Sequence, residues 1–313
     1  MSRAFVFPGQ GAQTIGMGQA LAAAYPAAKA VFDEVDAALG EDLSGLVWGG
    51  AQEDLTLTSN AQPALMATSI AAMRALEAEG VAIGDAAFVA GHSLGEYSAL
   101  AAAGALSVGD AARLLRIRGR AMQAAVPVGA GAMAALLGLD FDTARAVAAE
   151  AAGDQVCQAA NDNDPAQVVV SGDLAAVERA VEIAKARGAK RAVMLPVSAP
   201  FHCALMQPAA DAMAEALASV SITPPAVPLV ANVLAEAVSD PDRIRDLLVQ
   251  QVTGSVRWRE SVLWMEAQGV TEIWEIGAGK ALSGMVRRIA KPIECRAIGA
   301  PEDVAAAAAS RQG

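Results

Sequence analysis

The sequence predicts an α/β protein, a core built on a parallel sheet and interrupted once by a small inserted unit. Two observations lead there. Short apolar runs alternate with long helical patterns over most of the chain, the rhythm of parallel strands joined by helices. Between residues 129 and 198 the rhythm changes, and four closely spaced strand-like runs share only two helices.

In chain order, AFVFP (4–8) is the first strand, followed by helical patterns in IGMGQALAAAYPAAKAVFDEV (15–35) and PALMATSIAAMRALEAEG (63–80). AAFVA (86–90) is the next strand; a helix follows Ser93, and VGDAARLLRIRGRAMQAA (108–125) is another. The inserted unit then runs AMAALLGL (132–139, strand), DTARAVAAEAA (142–152, helix), VCQAAN (156–161) and QVVVSG (167–172, strands joined by a turn-rich DNDP), LAAVERAVEIAKARG (174–188, helix) and RAVMLPV (191–197, strand). That order, β-α-β-β-α-β, is ferredoxin-like. PVGAG (127–131) and PVSAP (196–200) are the expected hinges, so the division is 1–128 with 199–313 for the core and 129–198 for the insertion. VPLVAN (227–232) and TEIWEIG (271–277) return strands to the core, and the low-complexity tail DVAAAAASRQG is expected to fray.

Composition narrows the function. Hydrophobic residues make up 54% but aromatics only 4%, so Ala, Val and Leu must supply most of the packing. No apolar run reaches the ~18 residues of a membrane span. The opening MSRAFVFPGQG has none of the marks of a signal peptide, which makes the cytoplasm the expected location. Three scattered cysteines, Cys157, Cys203 and Cys295, argue against both a disulfide framework and a zinc site. A net charge of −11 excludes an overall basic footprint for nucleic acid, although basic residues cluster at 113–120, in AKARGAKR (184–191) and at Arg287-Arg288.

The chemistry centres on AFVAGHSLGEYSAL (87–100). An apolar run, a Gly-His-Ser-Leu-Gly turn and an alanine-rich helix have the layout of a nucleophile elbow, with Ser93 presented for attack on a carbonyl. The Leu94 N–H, at a helix N-terminus, is placed to donate to a developing oxyanion. A serine nucleophile needs a base that accepts a proton near neutral pH, and the chain has only two histidines, His92 and His202. His92 directly precedes Ser93 and is expected to pack beneath the turn. That leaves His202, where the inserted unit returns to the core, as the expected base. A hydrolase with this fold would place an acid between Ser and His, with the His near its C-terminus, yet 111 residues follow His202. FPGQG (7–11) matches neither G-x-G-x-x-G nor a P-loop, and neither does Gly277-Ala-Gly279-Lys280.

Several motifs agree with one family. FVFPGQGAQ (5–13), AQPAL (61–65), GHSLGEYSAL (91–100), RGRAMQ (118–123), GAMAALLG (131–138), QVVVSG (167–172), PVSAPFHCALMQPA (196–209) and EIGAGK (275–280) together resemble the malonyl-CoA:acyl-carrier-protein transacylases of type II fatty acid synthesis and the related acyltransferase domains of polyketide synthases. The resemblance covers nearly the whole chain and implies an α/β-hydrolase-like core. It implies that Ser93 carries the malonyl group and that His202 is the general base. It further implies that the backbone carbonyl of Gln251, in place of a carboxylate, holds the histidine. The oxyanion hole would be the amides of Gln10 and Leu94. Arg118 would clamp the malonyl carboxylate through a bidentate contact. Gln62 and Asn161 would line the pocket, and Phe201 would fill the space an α-methyl group needs. The implied partners are malonyl-CoA and acyl carrier protein, with no nucleic acid and no membrane. No cofactor is expected to be bound, since coenzyme A and phosphopantetheine arrive with the substrates. For carrier docking the candidates are Lys185, Arg187, Lys190, Arg191, Arg287 and Arg288. The rival readings are a serine thioesterase or hydrolase, and an inactive acyltransferase-like docking subunit.

Overall fold

The structure, a computed structural model, describes residues 2–197 and 199–310; Ser198 of the second expected hinge and the last three residues of the tail lie outside the described residues. A six-stranded sheet has the order β10-β9-β1-β2-β7-β8. Its strands are β1 (Ser2–Phe7), β2 (Phe88–Gly91), β7 (Leu229–Val230), β8 (Ala237–Val238), β9 (Val270–Ile276) and β10 (Glu294–Ile298). All pairings are parallel except that of β8, which turns back on β7 at one edge. The central stretches of β1 and β2, Ala4–Phe7 and Val89–Ala90, are apolar and buried because both faces are covered. In β1, Phe5 and Phe7 enter the core under the long helices, while Ala4 and Val6 face a second cluster around Trp258 and Met265.

The second sheet has the order β4-β5-β3-β6 and is antiparallel throughout. Its strands are β3 (Gly131–Leu137), β4 (Cys157–Asp164), β5 (Gln167–Asp173) and β6 (Arg191–Met194), all within the segment that the sequence sets apart. One face, with Ala134, Leu136, Val168 and Val170, packs on the helices Phe141–Ala152 and Leu174–Ala186. The other face sends Met133, Ala135 and Val169 into the main core. This is the alternation expected of a sheet between two apolar layers.

Three local features differ from the expectation. The helical pattern at 15–35 is two helices, Gln19–Ala24 and Pro26–Leu39, because Tyr25 is extended ahead of Pro26. The run VPLVAN pairs only through Leu229 and Val230. The tail does not fray where it is described: Pro301–Ala309 is a helix that buries Val304 and Ala307.

The helix Thr58–Ala78 is buried along most of its length and contains Pro63. Pro63 has no N–H to offer the Ser59 carbonyl, and Arg116 Nη1 occupies that carbonyl instead at 2.6 Å. Among the described residues no helix is long and apolar enough to cross a membrane.

Candidate active site

The carboxyl ends of β1 and β2 open onto a cavity of about 490 Å³, whose lining includes Gln10, Ser93, Leu94, Arg118 and His202. This is where ligands settle in open α/β sheets. β2 ends at Gly91, the next helix starts at Gly95, and between them Ser93 sits at φ +54°, in the left-handed region. The turn closes only with glycine at both flanks. A Cβ on Gly91 would lie 1.9 Å from the Gly95 carbonyl carbon, and one on Gly95 would lie 2.2 Å from the Phe7 carbonyl oxygen. The strained serine is held at both its main-chain polar groups: its N–H donates to Asn232 Oδ1 (2.8 Å), and its carbonyl accepts from Gln251 Nε2 (2.9 Å). Gly95→Ala is therefore expected to destabilise the fold by roughly 3 kcal/mol, the upper end of ordinary overpacking, because the obstacle is backbone. A denaturant titration checks this, and wild-type stability would show that β1 can give way.

Ser93 Oγ lies 2.8 Å from His202 Nε2, and His202 Nδ1 lies 2.9 Å from the Gln251 carbonyl oxygen. A carbonyl only accepts, so Nδ1 carries the hydrogen and Nε2 is left to take a proton from the serine. Burial, reinforced by the Arg118 cation, pushes the His202 pKa down to about 3, so the imidazole is neutral at any working pH. His92 is engaged elsewhere. Its Nε2 lies 2.9 Å from Asn163 Oδ1, its ring is 6.0 Å from that of Trp258, and burial lowers its pKa.

Arg118, on the helix Val108–Ala124, is only 1% exposed. Its Nη2 donates to Ser93 Oγ (3.1 Å) and Gln251 Oε1 (2.7 Å), and its Nη1 donates to Gln62 Oε1 (2.9 Å). All three acceptors are neutral, and among the described residues no carboxylate reaches it within ion-pair distance. A desolvated guanidinium without a counter-ion is costly to keep, which suits a site built to receive an anion. Gln10 and Leu94 line the same cavity, and among the described residues the N–H of neither donates to a backbone carbonyl. Gln62, Asn161 and Phe201 also line it; Asn161 comes from β4 of the second sheet.

The basic candidates separate. Lys185 and Arg187 are engaged with Glu182 and Glu150, and neither they nor Lys190 and Arg191 reach the cavity. Arg287 and Arg288 end the helix Ala281–Ile289, whose Ala281, Leu282 and Met285 form part of the cavity wall. Arg288 is paired with the buried Asp164 at 2.8 Å. Three residues that the sequence reading passed over belong to the site: Asn232, Asn163 and Glu96. Glu96 lies inside the GHSLGE motif and Asn232 at the carboxyl end of the β7 run, so both had a signal in their positions. Among the described residues no group of three His, Cys, Asp or Glu is arranged to hold a metal.

A serine at an elbow, bonded to a histidine and set beside a buried cation, is the arrangement an acyl-transferring enzyme uses. Residues 4–308 match the family described as the acyl transferase domain, and the chain belongs to that family. It is 49% identical over 305 residues to the malonyl CoA-acyl carrier protein transacylase of Escherichia coli (strain K12), covering 97% of this chain and 98% of that one. The acyl-carrier-protein-S-malonyltransferase of Bartonella henselae has a crystal structure that superposes with a TM-score of 0.97 at 56% identity, over 100% of both chains. A malonyl-transacylase solved in complex with a type II PKS acyl-carrier protein superposes at 0.96 with 42% identity, covering 99% of this chain and 100% of that one.

Proposed function

We propose that this enzyme transfers malonyl from malonyl-CoA to the phosphopantetheine thiol of acyl carrier protein through a malonyl-Ser93 ester. The observation that carries the residue assignment is the Ser93–His202 hydrogen bond, with a buried guanidinium that has no ion-pair partner among the described residues touching the same serine oxygen. Ser93 attacks the thioester carbonyl as His202 Nε2 takes its proton, and the Gln251 carbonyl keeps Nδ1–H in place. The amides of Gln10 and Leu94 receive the oxyanion, the second of them at the start of a helix whose dipole favours negative charge. His202 returns the proton to the departing coenzyme A sulfur. The carrier thiol then gives its proton to His202 and attacks the ester, regenerating Ser93. These groups complete the chemistry without a bound cofactor.

Arg118 takes the malonyl carboxylate in this reading, with Gln62 and Asn161 beside it, and Phe201 closes the space an α-methyl group would occupy. The 129–198 segment acts as an inserted unit closing the cavity over the core formed by 1–128 and 199–313, a division supported by its separate apolar cluster. A cytoplasmic location is supported by three cysteines that are all free. Intact-mass analysis tests the whole reading. Malonyl-CoA should add one malonyl group, acetyl-CoA and methylmalonyl-CoA little, and carrier protein with a free phosphopantetheine should remove the adduct. Steady malonate release without carrier would make the enzyme a hydrolase instead.

The carrier is acidic and so is this chain, so docking needs a local basic patch. The end of the helix Ala281–Ile289 is the candidate. Reversing Arg288 would also strand the buried Asp164, so Arg287→Glu is the cleaner test. It should raise KM for the carrier and make transfer less sensitive to salt, while acylation by malonyl-CoA stays unchanged. Equal losses in both half-reactions would remove Arg287 from the docking surface.

A further inference from the structure

Glu96 is 1% exposed, stands in the first turn of the elbow helix, and among the described residues has no cation within ion-pair distance. Its two oxygens have separate duties. Oε1 accepts from the Asn232 N–H at 3.2 Å, and Oε2 accepts from Gln251 Nε2. A carboxylate can accept at both ends at once, whereas the amide of a glutamine cannot. Gln251 in turn bonds to His202, Arg118 and Ser93. Its main-chain carbonyl holds His202 Nδ1, its Oε1 accepts from Arg118, and its Nε2 donates to the Ser93 carbonyl.

The two ends of a glutamine amide are nearly equal in shape, so hydrogen bonding decides which way it faces. Turned over, Gln251 would present N–H groups to the Arg118 guanidinium, and its oxygen to both the Ser93 carbonyl and Glu96. Donor would meet donor on one side and acceptor would meet acceptor on the other. We propose that Glu96 is a positioning residue for the transacylation, fixing the face of the Gln251 amide and the main chain at Asn232, and through them the mutual placement of Ser93, His202 and Arg118. The inference rests on the malonyl-transfer reading above.

Protonation of Glu96 would place a hydrogen on one of its two accepting oxygens, with the same consequence as an amide there. Burial pushes its pKa up to about 7, so the accepting form is lost as the pH falls through that range. The neighbouring histidines and tyrosine are displaced away from this window: burial pushes His202 down to about 3, lowers His92 and raises Tyr97. Burial lowers Arg118 from the usual guanidinium range, which begins far above this window.

The test is the single-turnover rate of malonyl-Ser93 formation, followed by rapid quench and intact mass from pH 5.5 to 9. Wild type should lose rate below about pH 7. Glu96→Gln, with the same shape, should be slower by roughly 10- to 100-fold above that pH, the effect of a hydrogen bond to a charged group. Its profile should be flat where the wild type falls. A variant with normal rate and profile overturns the proposal, even if its melting temperature is lower. If Glu96→Gln does not fold, the wild-type profile decides alone, and a rate independent of pH between 6 and 8 overturns the proposal equally. Failure of malonyl-CoA to label the wild type would sink the functional reading instead, so the two failures are distinct.

Discussion

Ser93→Ala is expected to abolish the malonyl adduct outright, and His202→Ala to slow its formation by ~10²–10⁴-fold, the range general-base catalysis supplies. Among the described residues the serine is the only hydroxyl bonded to the imidazole, at 2.8 Å, and it stands in a backbone conformation that two other side chains hold in place. The loss in His202→Ala stops short of complete because the oxyanion amides and the bound geometry remain. His92→Ala is the control. It should leave acylation largely intact, since His92 is bonded to Asn163. If His92→Ala proved as harmful as expected of His202→Ala, and His202→Ala kept its full rate, the assignment of the base would be wrong.

Arg118→Ala is expected to lower kcat/KM for malonyl-CoA by roughly 2–5 kcal/mol, the cost of leaving one partner of a desolvated charge pair alone. The guanidinium is buried against neutral oxygens, so nothing else in contact with it can neutralise an incoming carboxylate. Acetyl-CoA brings no carboxylate, and removing the cation also relieves one of the influences that hold His202 at low pKa. Acetyl transfer should therefore be spared or improved. Arg118→Lys should recover only part of the malonyl rate, because a point charge cannot form the paired contact. The deciding measurement is kcat/KM for both thioesters with each variant, and parallel losses would make Arg118 a fold residue.

The elements of the core were legible where they were long or fully buried. β1, β2 and the inserted β-α-β-β-α-β unit follow from apolar period and turn residues alone, because a strand covered on both faces leaves a continuous apolar run. The pairing of β10 beside β9 was not legible, since Glu294–Ile298 mixes charged and apolar residues at an exposed edge. Within the site, Ser93 could be read from its turn, and His202 from the scarcity of histidines. Arg118 stood out from its arginine-rich helix only through the family resemblance. Asn232 and Glu96 were missed because their roles exist only in three dimensions, across separations of 139 residues to Ser93 and 155 to Gln251.

The neutral carbonyl behind His202 bears on how long the acyl-enzyme survives. A carboxylate there would stabilise the imidazolium and strengthen the base; the Gln251 carbonyl leaves it weak. A weak base sorts acceptors by their own acidity, and a thiol, at a pKa of about 8.5, gives up its proton far more readily than water at about 15.7. Water is abundant in the cell yet is the acceptor this imidazole activates least. In the proposed reaction the ester on Ser93 would thereby gain a lifetime, waiting through countless encounters with solvent for the rarer arrival of a sulfur nucleophile.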